Sequence, residues 1–371
     1  MSNNRREFLK AGLIGGAVAA TGLPTLALAG HHEKKPAKSL EILVLGGTGF
    51  IGPHMVREAL RRGHNVTLFN RGRTNNALFP DLETIKGDRA DNLKGLEGRS
   101  WDVVIDNSGY VPRHVENSAR LLSDNVSHYL FISSVSVYAD FNRVNAEDAP
   151  LATIEDETVE EVTGETYGAL KALCEKRTLT EVGEDRVTVV RPTYICGPGD
   201  HTDRFTYYPV RTQKGGEMLW PGSPSHEIQI VDVRDLANFV VDCVQKRTQG
   251  IFNAVTPIGA YTFADLLEDS QAVTATTVDP VWVDDAFIAA NEARDAFPIY
   301  FPREGEDAGR LAFSGEAAFA AGLHNRPPRE TVRDLMTWWA TLSDERIESA
   351  RFRMTPEREA TLLEAWKARG G

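Results

Sequence analysis

A short apolar run followed by three regularly spaced glycines is the feature that most restricts the fold of this chain. Residues 41–45 form a β-run, then Gly46, Gly49 and Gly52 follow at the spacing G-x-x-G-x-x-G, and a helical pattern continues to Arg62. Glycines at this spacing permit a tight turn, close approach of the backbone to a pyrophosphate, and close packing of helix on strand. The pattern therefore predicts a dinucleotide-binding turn, with the anion at a helix N-terminus.

Strand and helix patterns alternate along the chain after this turn. Such alternation is typical of an α/β fold in which helices connect parallel strands and cover both faces of the sheet. We therefore predict a Rossmann-type, doubly wound parallel sheet. Its strands are predicted at residues 41–45, 65–70, 101–106, 128–133 and 186–191, with helices at 111–122 and 165–181.

The chain changes character after Pro192. A Gly- and Pro-rich loop is followed by an aromatic helix candidate at residues 205–213, the turn Trp220-Pro221-Gly222 and an apolar run at 228–231. Irregular segments of this kind suit a lobe that lies over the carboxyl edge of the sheet, where ligands bind in open α/β folds. We predict a smaller C-terminal substrate-binding lobe.

These patterns divide the chain into five parts. Thr355 as N-cap and Pro356 at the first helical position begin a terminal helix predicted to end near Lys367. The predicted parts are a signal peptide (1–29), a flexible lead-in (30–40), a dinucleotide-binding core (41–192), a substrate lobe interleaved with the end of the core (193–342) and a C-terminal helical extension (343–371).

The N-terminal segment carries the pattern of an export signal. Arg5-Arg6, followed after one residue by Phe-Leu-Lys, resembles the twin-arginine motif, and Ala27-Leu28-Ala29 is an A-x-A cleavage signature. The apolar run between them is shorter than a membrane span requires. We predict that the twin-arginine machinery exports the precursor folded, with its cofactor inside, to a periplasmic or other extracytoplasmic location.

Composition excludes several classes of partner. Apolar residues make up 42% and charged residues 25% of the 371 residues, an ordinary globular mixture, and the net charge of −12 disfavours nucleic acid. The three cysteines, Cys174, Cys196 and Cys243, lack metal-ligand spacing, so they are predicted to be small buried residues. No metal site is expected.

A tyrosine and a lysine four residues apart indicate proton-transfer chemistry. Tyr167 and Lys171 lie on one face of a predicted helix. A phenol has an ordinary pKa near 10, and a neighbouring ammonium and a cationic nicotinamide both favour its ionised form. Ser134, at the end of a predicted strand, can hydrogen-bond the substrate oxygen that gains or loses the proton.

The second strand ends without the acid that usually holds an adenosine ribose. Asn70 stands there, followed by Arg71 and Arg73, which can pair with a 2′-phosphate. NADP is therefore favoured over NAD, although both arginines can also be solvated surface residues. Asp88, in the run Gly87-Asp88-Arg89-Ala90-Asp91, is placed to contact the adenine edge.

On these residues the chain resembles the extended short-chain dehydrogenase/reductase family, in its NAD-dependent epimerase/dehydratase group. The motifs that carry the resemblance are 46–52, Ser-Ser-x-x-Val-Tyr at 133–138, Tyr167 with Lys171, Arg191-Pro192, Gly-Pro-Gly-Asp at 197–200, 231–237 and 322–339. Asn70, and Asp-Asn-Ser-Gly at 106–109, depart from the family pattern.

The resemblance implies a role for each matching residue. Ser134 would be the catalytic hydroxyl, Tyr167 the acid/base, and Lys171 the ribose anchor that modifies the pKa of the tyrosine. Tyr110, Ser136, Arg204 and Arg234 are weaker candidates for substrate contacts, the two arginines for an anionic group. The expected cofactor contacts are Gly46, Gly49, Phe50, Ile51, Gly52, Asn70, Arg71, Arg73, Asp88, Ser133, Tyr167, Lys171 and Pro192.

The leading hypothesis is an exported, NAD(P)-dependent epimerase/dehydratase or reductase with a tightly held cofactor. It would transfer hydride at a carbinol or ketone carbon, with a sugar or sugar-like molecule as its substrate, and the resemblance also admits a homodimer. One alternative is a non-catalytic dinucleotide-binding module of the same fold, redox-sensing or RNA-binding. Another is a simple reductase with freely exchanging cofactor.

Overall fold

A parallel sheet of seven strands organises residues 38–370, the part of the chain that this computed structural model describes. The predicted signal peptide and all but the end of the predicted lead-in lie outside the described residues. The strand order is β10-β6-β5-β4-β1-β2-β3. The strands of this and two smaller sheets are β1 (Glu41–Leu45), β2 (Asn65–Asn70), β3 (Thr84–Lys86), β4 (Trp101–Asp106), β5 (Val126–Ile132), β6 (Val187–Pro192), β7 (Tyr194–Cys196), β8 (Gly216–Pro221), β9 (Ile230–Asp232), β10 (Gly250–Ala254) and β11 (Val278–Val283).

Helices connect these strands and form the C-terminal region. Short 3₁₀ turns supplement them, among them Val135–Val137 directly after β5. The helices are α1 (Gly52–Arg61), α2 (Pro112–Leu122), α3 (Tyr167–Val182), α4 (Tyr207–Thr212), α5 (Val233–Lys246), α6 (Phe263–Thr274), α7 (Asp285–Ala290), α8 (Glu316–Ala321), α9 (Pro328–Trp339), α10 (Asp344–Glu348) and α11 (Pro356–Ala368).

Both faces of the large sheet are covered by helices. On one face, Met55 of α1 and Val240 of α5 belong to the same buried cluster as Val44 of β1. On the other face, Ala119 of α2 and Cys174 of α3 are buried in a second cluster. Parallel strands that are buried on both sides read as near-continuous apolar runs, which is why their positions were visible in the sequence. The doubly wound Rossmann-type prediction is confirmed.

The C-terminal region has an aromatic core of its own. Tyr208 stacks on Trp220 with ring centres 4.9 Å apart, and Phe263 packs against both rings. Strand β10 returns to the large sheet beside β6, so this region interleaves with the core. Strand β10 could not be predicted from the sequence, because its five residues include only two large apolar side chains.

The terminal helix begins where the sequence predicted. The Thr355 side chain accepts a hydrogen bond from the backbone N–H of Arg358, which is the N-cap geometry. The buried Glu359 carboxylate then accepts from Arg211 at 2.6 Å and from the backbone N–H of Leu219 at 3.1 Å. These bonds anchor α11 on α4 and β8 of the C-terminal region.

The three cysteines are buried and free, as predicted. Within residues 38–370, no group of three or more His, Cys, Asp or Glu side chains is placed to hold a metal ion. In the same part of the chain no helix combines the length and apolar character needed to cross a membrane.

Candidate active site

The glycine turn after β1 is held by two close contacts. Gly46 has φ +88°, and a Cβ atom there would lie 2.7 Å from the Cβ of Ser108. A Cβ atom at Gly52 would lie 2.6 Å from the carbonyl oxygen of Gly46. Only glycine allows this conformation and this separation. The first turn of α1 can therefore begin directly against the carboxyl end of β1.

A cavity of about 750 Å³ lies along the carboxyl ends of the large sheet. Its walls include residues that follow β1, β2, β3, β4, β5 and β6. Gly52, one of the predicted cofactor contacts, does not line this cavity. Instead it allows α1 to pack closely against the glycine turn. The predicted contacts that line the cavity are Gly46, Gly49, Phe50, Ile51, Asn70, Arg71, Arg73, Asp88, Ser133, Tyr167, Lys171 and Pro192.

One end of the cavity is basic. Arg71 and Arg73 are exposed there, and neither forms an ion pair within residues 38–370. Asn70 turns its side chain back to the chain, where its Oδ1 accepts from the backbone N–H of Gly72 at 2.8 Å. Asp88 similarly accepts from the backbone N–H of Ala90 at 3.1 Å. Two guanidinium groups are therefore free to meet an anion at this end.

Lys171 is buried and lines the cavity. Its ammonium donates to the carbonyl oxygens of Gly109 at 2.8 Å and Ile132 at 2.6 Å. Its Nζ also lies 4.4 Å from the ring centre of Phe131 and 5.3 Å from that of Tyr110. Burial lowers the pKa of Lys171 to about 8. An ammonium has three N–H groups, so one remains for a ligand.

Tyr167 is the first residue of α3 and lines the same cavity. Burial raises the pKa of its phenol, while a hydrogen bond with the side chain of Ser134 and the charge of Arg204 lower it. The Oγ of Ser134 accepts from the backbone N–H of Ser136 at 3.1 Å, which leaves its O–H to donate to the Tyr167 phenol or to a ligand. The structure thus brings Ser134, Tyr167 and Lys171 to one cavity.

A buried ion pair beneath the cavity was not found by sequence reasoning. Both oxygens of the fully buried Asp106 accept from Arg89, at 2.6 and 2.7 Å, and Tyr129 donates to it at 2.8 Å. Asp106 also accepts from the backbone N–H of Ser108 at 3.2 Å. The network holds the turn that follows β4. The carboxylate that ends the buried run Val103-Val104-Ile105 was the signal, because a buried charge requires a partner.

Four buried polar atoms in the wall have no hydrogen-bond partner within residues 38–370. They are the Oγ of Ser133, the Oδ1 of Asn107, the Oγ1 of Thr193 and the Nε of Arg89. Asn107 uses its Nδ2 on the carbonyl oxygen of Gly46, so its oxygen is left for another group. Buried polar atoms are normally paired, and a nicotinamide dinucleotide presents amide and hydroxyl groups that could meet them. The wall therefore fits such a cofactor.

The weaker substrate candidates separate into two groups. Tyr110, Ser136 and Arg204 line the cavity. Arg234 does not, and its guanidinium pairs with Asp232 at 2.7 Å and with Asp334. The structure corrects the prediction for Arg234, because two carboxylates already satisfy its charge. Sequence position could not reveal this, since Asp334 is distant in the chain.

The chain is similar in sequence to a family profile and to relatives whose names describe different functions. The profile of the NAD dependent epimerase/dehydratase family matches residues 42–254. The chain is 28% identical over 231 residues to the chloroplast stem-loop binding protein of 41 kDa b from Arabidopsis thaliana, covering 57% of this chain and 58% of that protein. It is 30% identical over 221 residues to 2-alkyl-3-oxoalkanoate reductase from Stenotrophomonas maltophilia, covering 54% of this chain and 64% of that protein. It thus spans less than two thirds of either relative.

Solved structures of low sequence identity share the fold. The Bordetella bronchiseptica enzyme WbmG, in complex with NAD and UDP, superposes with a TM-score of 0.62 at 16% identity, covering 82% of this chain and 94% of that one. The family profile covers β1 through β10, that is, the glycine turn, the Ser134, Tyr167 and Lys171 group and the whole large sheet. The chain belongs to the NAD dependent epimerase/dehydratase family.

Proposed function

We propose that this protein is an NAD(P)-dependent oxidoreductase or epimerase that acts by hydride transfer at a carbinol or ketone carbon of a sugar-like substrate. The observation that carries the proposal is the meeting of Ser134, Tyr167 and Lys171 in the cavity that begins at the glycine turn. The likeness to WbmG, which binds NAD and UDP, supports the cofactor class. The relatives named as epimerases and reductases support the reaction class.

A nicotinamide held in this cavity would supply the hydride chemistry. The turn at Gly46 would hold its pyrophosphate, and the free N–H of Lys171 would bond a ribose hydroxyl. The phenol of Tyr167 would exchange a proton with the substrate oxygen while the O–H of Ser134 donates to the same oxygen. Lys171 would also favour the phenolate, because a cation near a phenol lowers its pKa.

We further propose NADP as the preferred cofactor. Arg71 and Arg73 lie at one end of the cavity without ion pairs among the described residues, and a 2′-phosphate would supply their missing partner. The solved relative in complex with NAD leaves this preference open to test. Wild-type protein should bind NADP more tightly than NAD.

The export of a loaded enzyme is the remaining part of the proposal. Arg5-Arg6 and Ala27-Leu28-Ala29 support passage through the twin-arginine machinery. An extracytoplasmic site would have no soluble nicotinamide pool, so the cofactor would have to travel inside the protein and stay bound. A sugar other than a nucleotide sugar would suit that location.

A non-catalytic binding module is the second candidate. It is favoured by the relative named as a stem-loop binding protein, which matches 57% of this chain. Against it stand the complete Ser134, Tyr167 and Lys171 group and a net charge of −12, since a negative field repels phosphate.

The ligand content of the purified protein tests these candidates. The mature protein is denatured and the released nucleotides are identified by mass, and emptied protein is reconstituted with NADP or NAD. The proposal expects a stoichiometric nicotinamide dinucleotide, and a change of nicotinamide absorbance when a panel of sugars is added in a single turnover. If no dinucleotide is released or rebound, the proposed function is wrong. Rebinding of dinucleotide with tight binding of stem-loop RNA, and without turnover on any sugar, would favour the binding module.

A further inference from the structure

Tyr194 follows β6, and its side chain lines the cavity at the end away from Arg71, which follows β2. The charges of three arginines, Arg204, Arg310 and Arg294, act on its phenol, where they oppose the effect of burial on the pKa. The guanidinium carbon of Arg204 lies 4.6 Å from the ring centre of Tyr194. That of Arg310 lies 4.0 Å from the ring centre of Phe141. Both arginines and both rings line the cavity. Stacking on aromatic rings fixes the plane of a guanidinium group while leaving its N–H groups free.

The positive charge at this end has little compensation. Arg204 forms no ion pair within residues 38–370, and its one hydrogen bond there runs from Nε to the Oγ1 of Thr202 at 3.3 Å. Arg310 donates through Nε to Asp307 at 2.6 Å, and Asp307 also lies 4.0 Å from the third arginine, Arg294. One carboxylate therefore serves two of the three guanidinium groups, in a chain whose net charge is −12.

The other carboxylates of this loop have partners elsewhere. Asp203, which is 1% exposed, accepts from Arg346 at 2.6 Å and from the backbone N–H of Arg351 at 3.0 Å. Asp200 accepts from the backbone N–H and hydroxyl of Thr202, at 2.8 and 2.7 Å, and burial raises its pKa. Neither is bonded to Arg204, whose charge acts on the Asp200 carboxyl only at longer range, where it opposes the effect of burial on the pKa.

The same contacts hold Arg204 in place before any ligand binds. Asp203 has φ +60°, a conformation that costs free energy for a residue other than glycine. Its bonds to the segment around Arg346 fix it there, and Arg204 follows directly. The C-terminal extension, which lies beyond the region matched by the family profile, therefore positions a side chain of the cavity. A positioned group binds its ligand with less loss of conformational freedom.

Arg204 is also close to the proton-transfer group. Its charge acts on the Tyr167 phenol, where it opposes the effect of burial on the pKa. An anion bound to Arg204 would accordingly lie near the substrate carbon on which Tyr167 acts.

We propose that this end of the cavity binds an anionic group of the substrate, a carboxylate or a phosphate, between Arg204 and Arg310. The substrate is then a sugar acid or sugar phosphate whose charge lies near its reacting carbon. This inference rests on the proposed function for the identity of the reacting carbon, but the anion site can be tested apart from it.

Calorimetric titration of NADP-loaded protein provides the test. Glucuronate and glucose differ only in the carboxylate, glucose 6-phosphate presents a phosphate, and UDP presents a nucleotide diphosphate. We expect glucuronate or glucose 6-phosphate to bind at least about tenfold more tightly than glucose, because charge-assisted hydrogen bonds exceed neutral ones. Tighter binding of UDP than of both anionic sugars would overturn the proposal that the anion bound here belongs to a sugar acid or sugar phosphate.

Variants separate a charge effect from a structural one. Arg204→Gln and Arg310→Gln should each weaken the anionic sugar about tenfold or more and leave glucose and NADP unaffected. Arg346→Gln should weaken it less, with recovery in Arg346→Lys. The control Arg353→Gln removes an exposed arginine, 71% accessible, from the same C-terminal segment and should change nothing.

Three results would overturn the proposal. They are equal binding of glucuronate, glucose 6-phosphate and glucose, no binding of either anionic sugar, and a parallel loss of glucose binding in Arg204→Gln. Failure of the proposed function is distinguishable, because it would appear as absent dinucleotide binding or absent hydride transfer. If the protein binds no dinucleotide, the same sugar titrations are made on dinucleotide-free protein.

Discussion

The buried ammonium of Lys171 makes a prediction about stability. Its side chain is 3% exposed, and burial lowers its pKa from 10.5 to about 8. In the unfolded chain the ammonium is hydrated and keeps its proton up to pH 10.5. Between pH 8 and 10.5 the unfolded state therefore binds more protons than the folded state. Stability must rise with pH across this window, the reverse of the loss expected for a lysine that gains an ion pair.

The magnitude follows from the two pKa values. Each tenfold difference in proton affinity corresponds to about 1.4 kcal/mol, so the change from 10.5 to about 8 corresponds to about 3 kcal/mol. The buried charge thus opposes folding of the cofactor-free protein by about this much below pH 8. Most of the opposition should disappear by pH 10.

Urea unfolding of cofactor-free protein from pH 7 to 10 measures the effect. The free energy of unfolding of wild type, minus that of Lys171→Met, should increase by about 2 to 3 kcal/mol across this range, because other titrating groups cancel. The control Lys176→Met removes a 60% exposed lysine from the same helix, and its difference should stay flat. A flat difference for Lys171→Met would refute the claim that burial holds the ammonium at a lowered pKa.

The other predictions concern chemistry, cofactor and export. Tyr167→Phe should keep dinucleotide binding and slow single-turnover hydride transfer by about 10² to 10⁴, and an unchanged rate would remove Tyr167 from the acid/base role. Arg71→Ala should weaken NADP at least about tenfold in fluorescence titrations and leave NAD unaffected, since it removes a charge-assisted bond to phosphate. Equal losses for both nucleotides would contradict that role. Replacing Arg5 and Arg6 by lysine should leave the precursor in the cytoplasm in fractionation, and continued processing would exclude the twin-arginine route.

The strands of the large sheet were largely visible in the sequence. The predicted limits of β1, β2 and β4 agree with the structure, and those of β5 and β6 differ by one or two residues. Buried parallel strands require apolar residues on both faces, so their runs stand out. Strand β10 and helix α5 were not assigned, because a run of five residues and a helix after an irregular lobe carry weak local signals.

The sequence also determined which side chains share the edge of the sheet along which the cavity lies. Ser134 and Gly46 follow strands of one parallel sheet, and the carboxyl ends of such strands meet at one edge. Helical spacing alone placed Tyr167 and Lys171 on one face. These inferences depend on local periodicity, which a single sequence contains.

Only the tertiary structure decided which arginines of this region are paired with carboxylates. The sequence suggested Arg204 and Arg234 equally as anion ligands. Asp232 and Asp334 pair with Arg234, whereas Arg204 lines the cavity and forms no ion pair within residues 38–370. The tertiary structure likewise showed that Arg89 forms an ion pair with the buried Asp106. The partners in these pairs lie far apart in the chain or show no periodic pattern. Which carboxylate reaches which guanidinium depends on how the segments pack, and local sequence patterns do not contain that information.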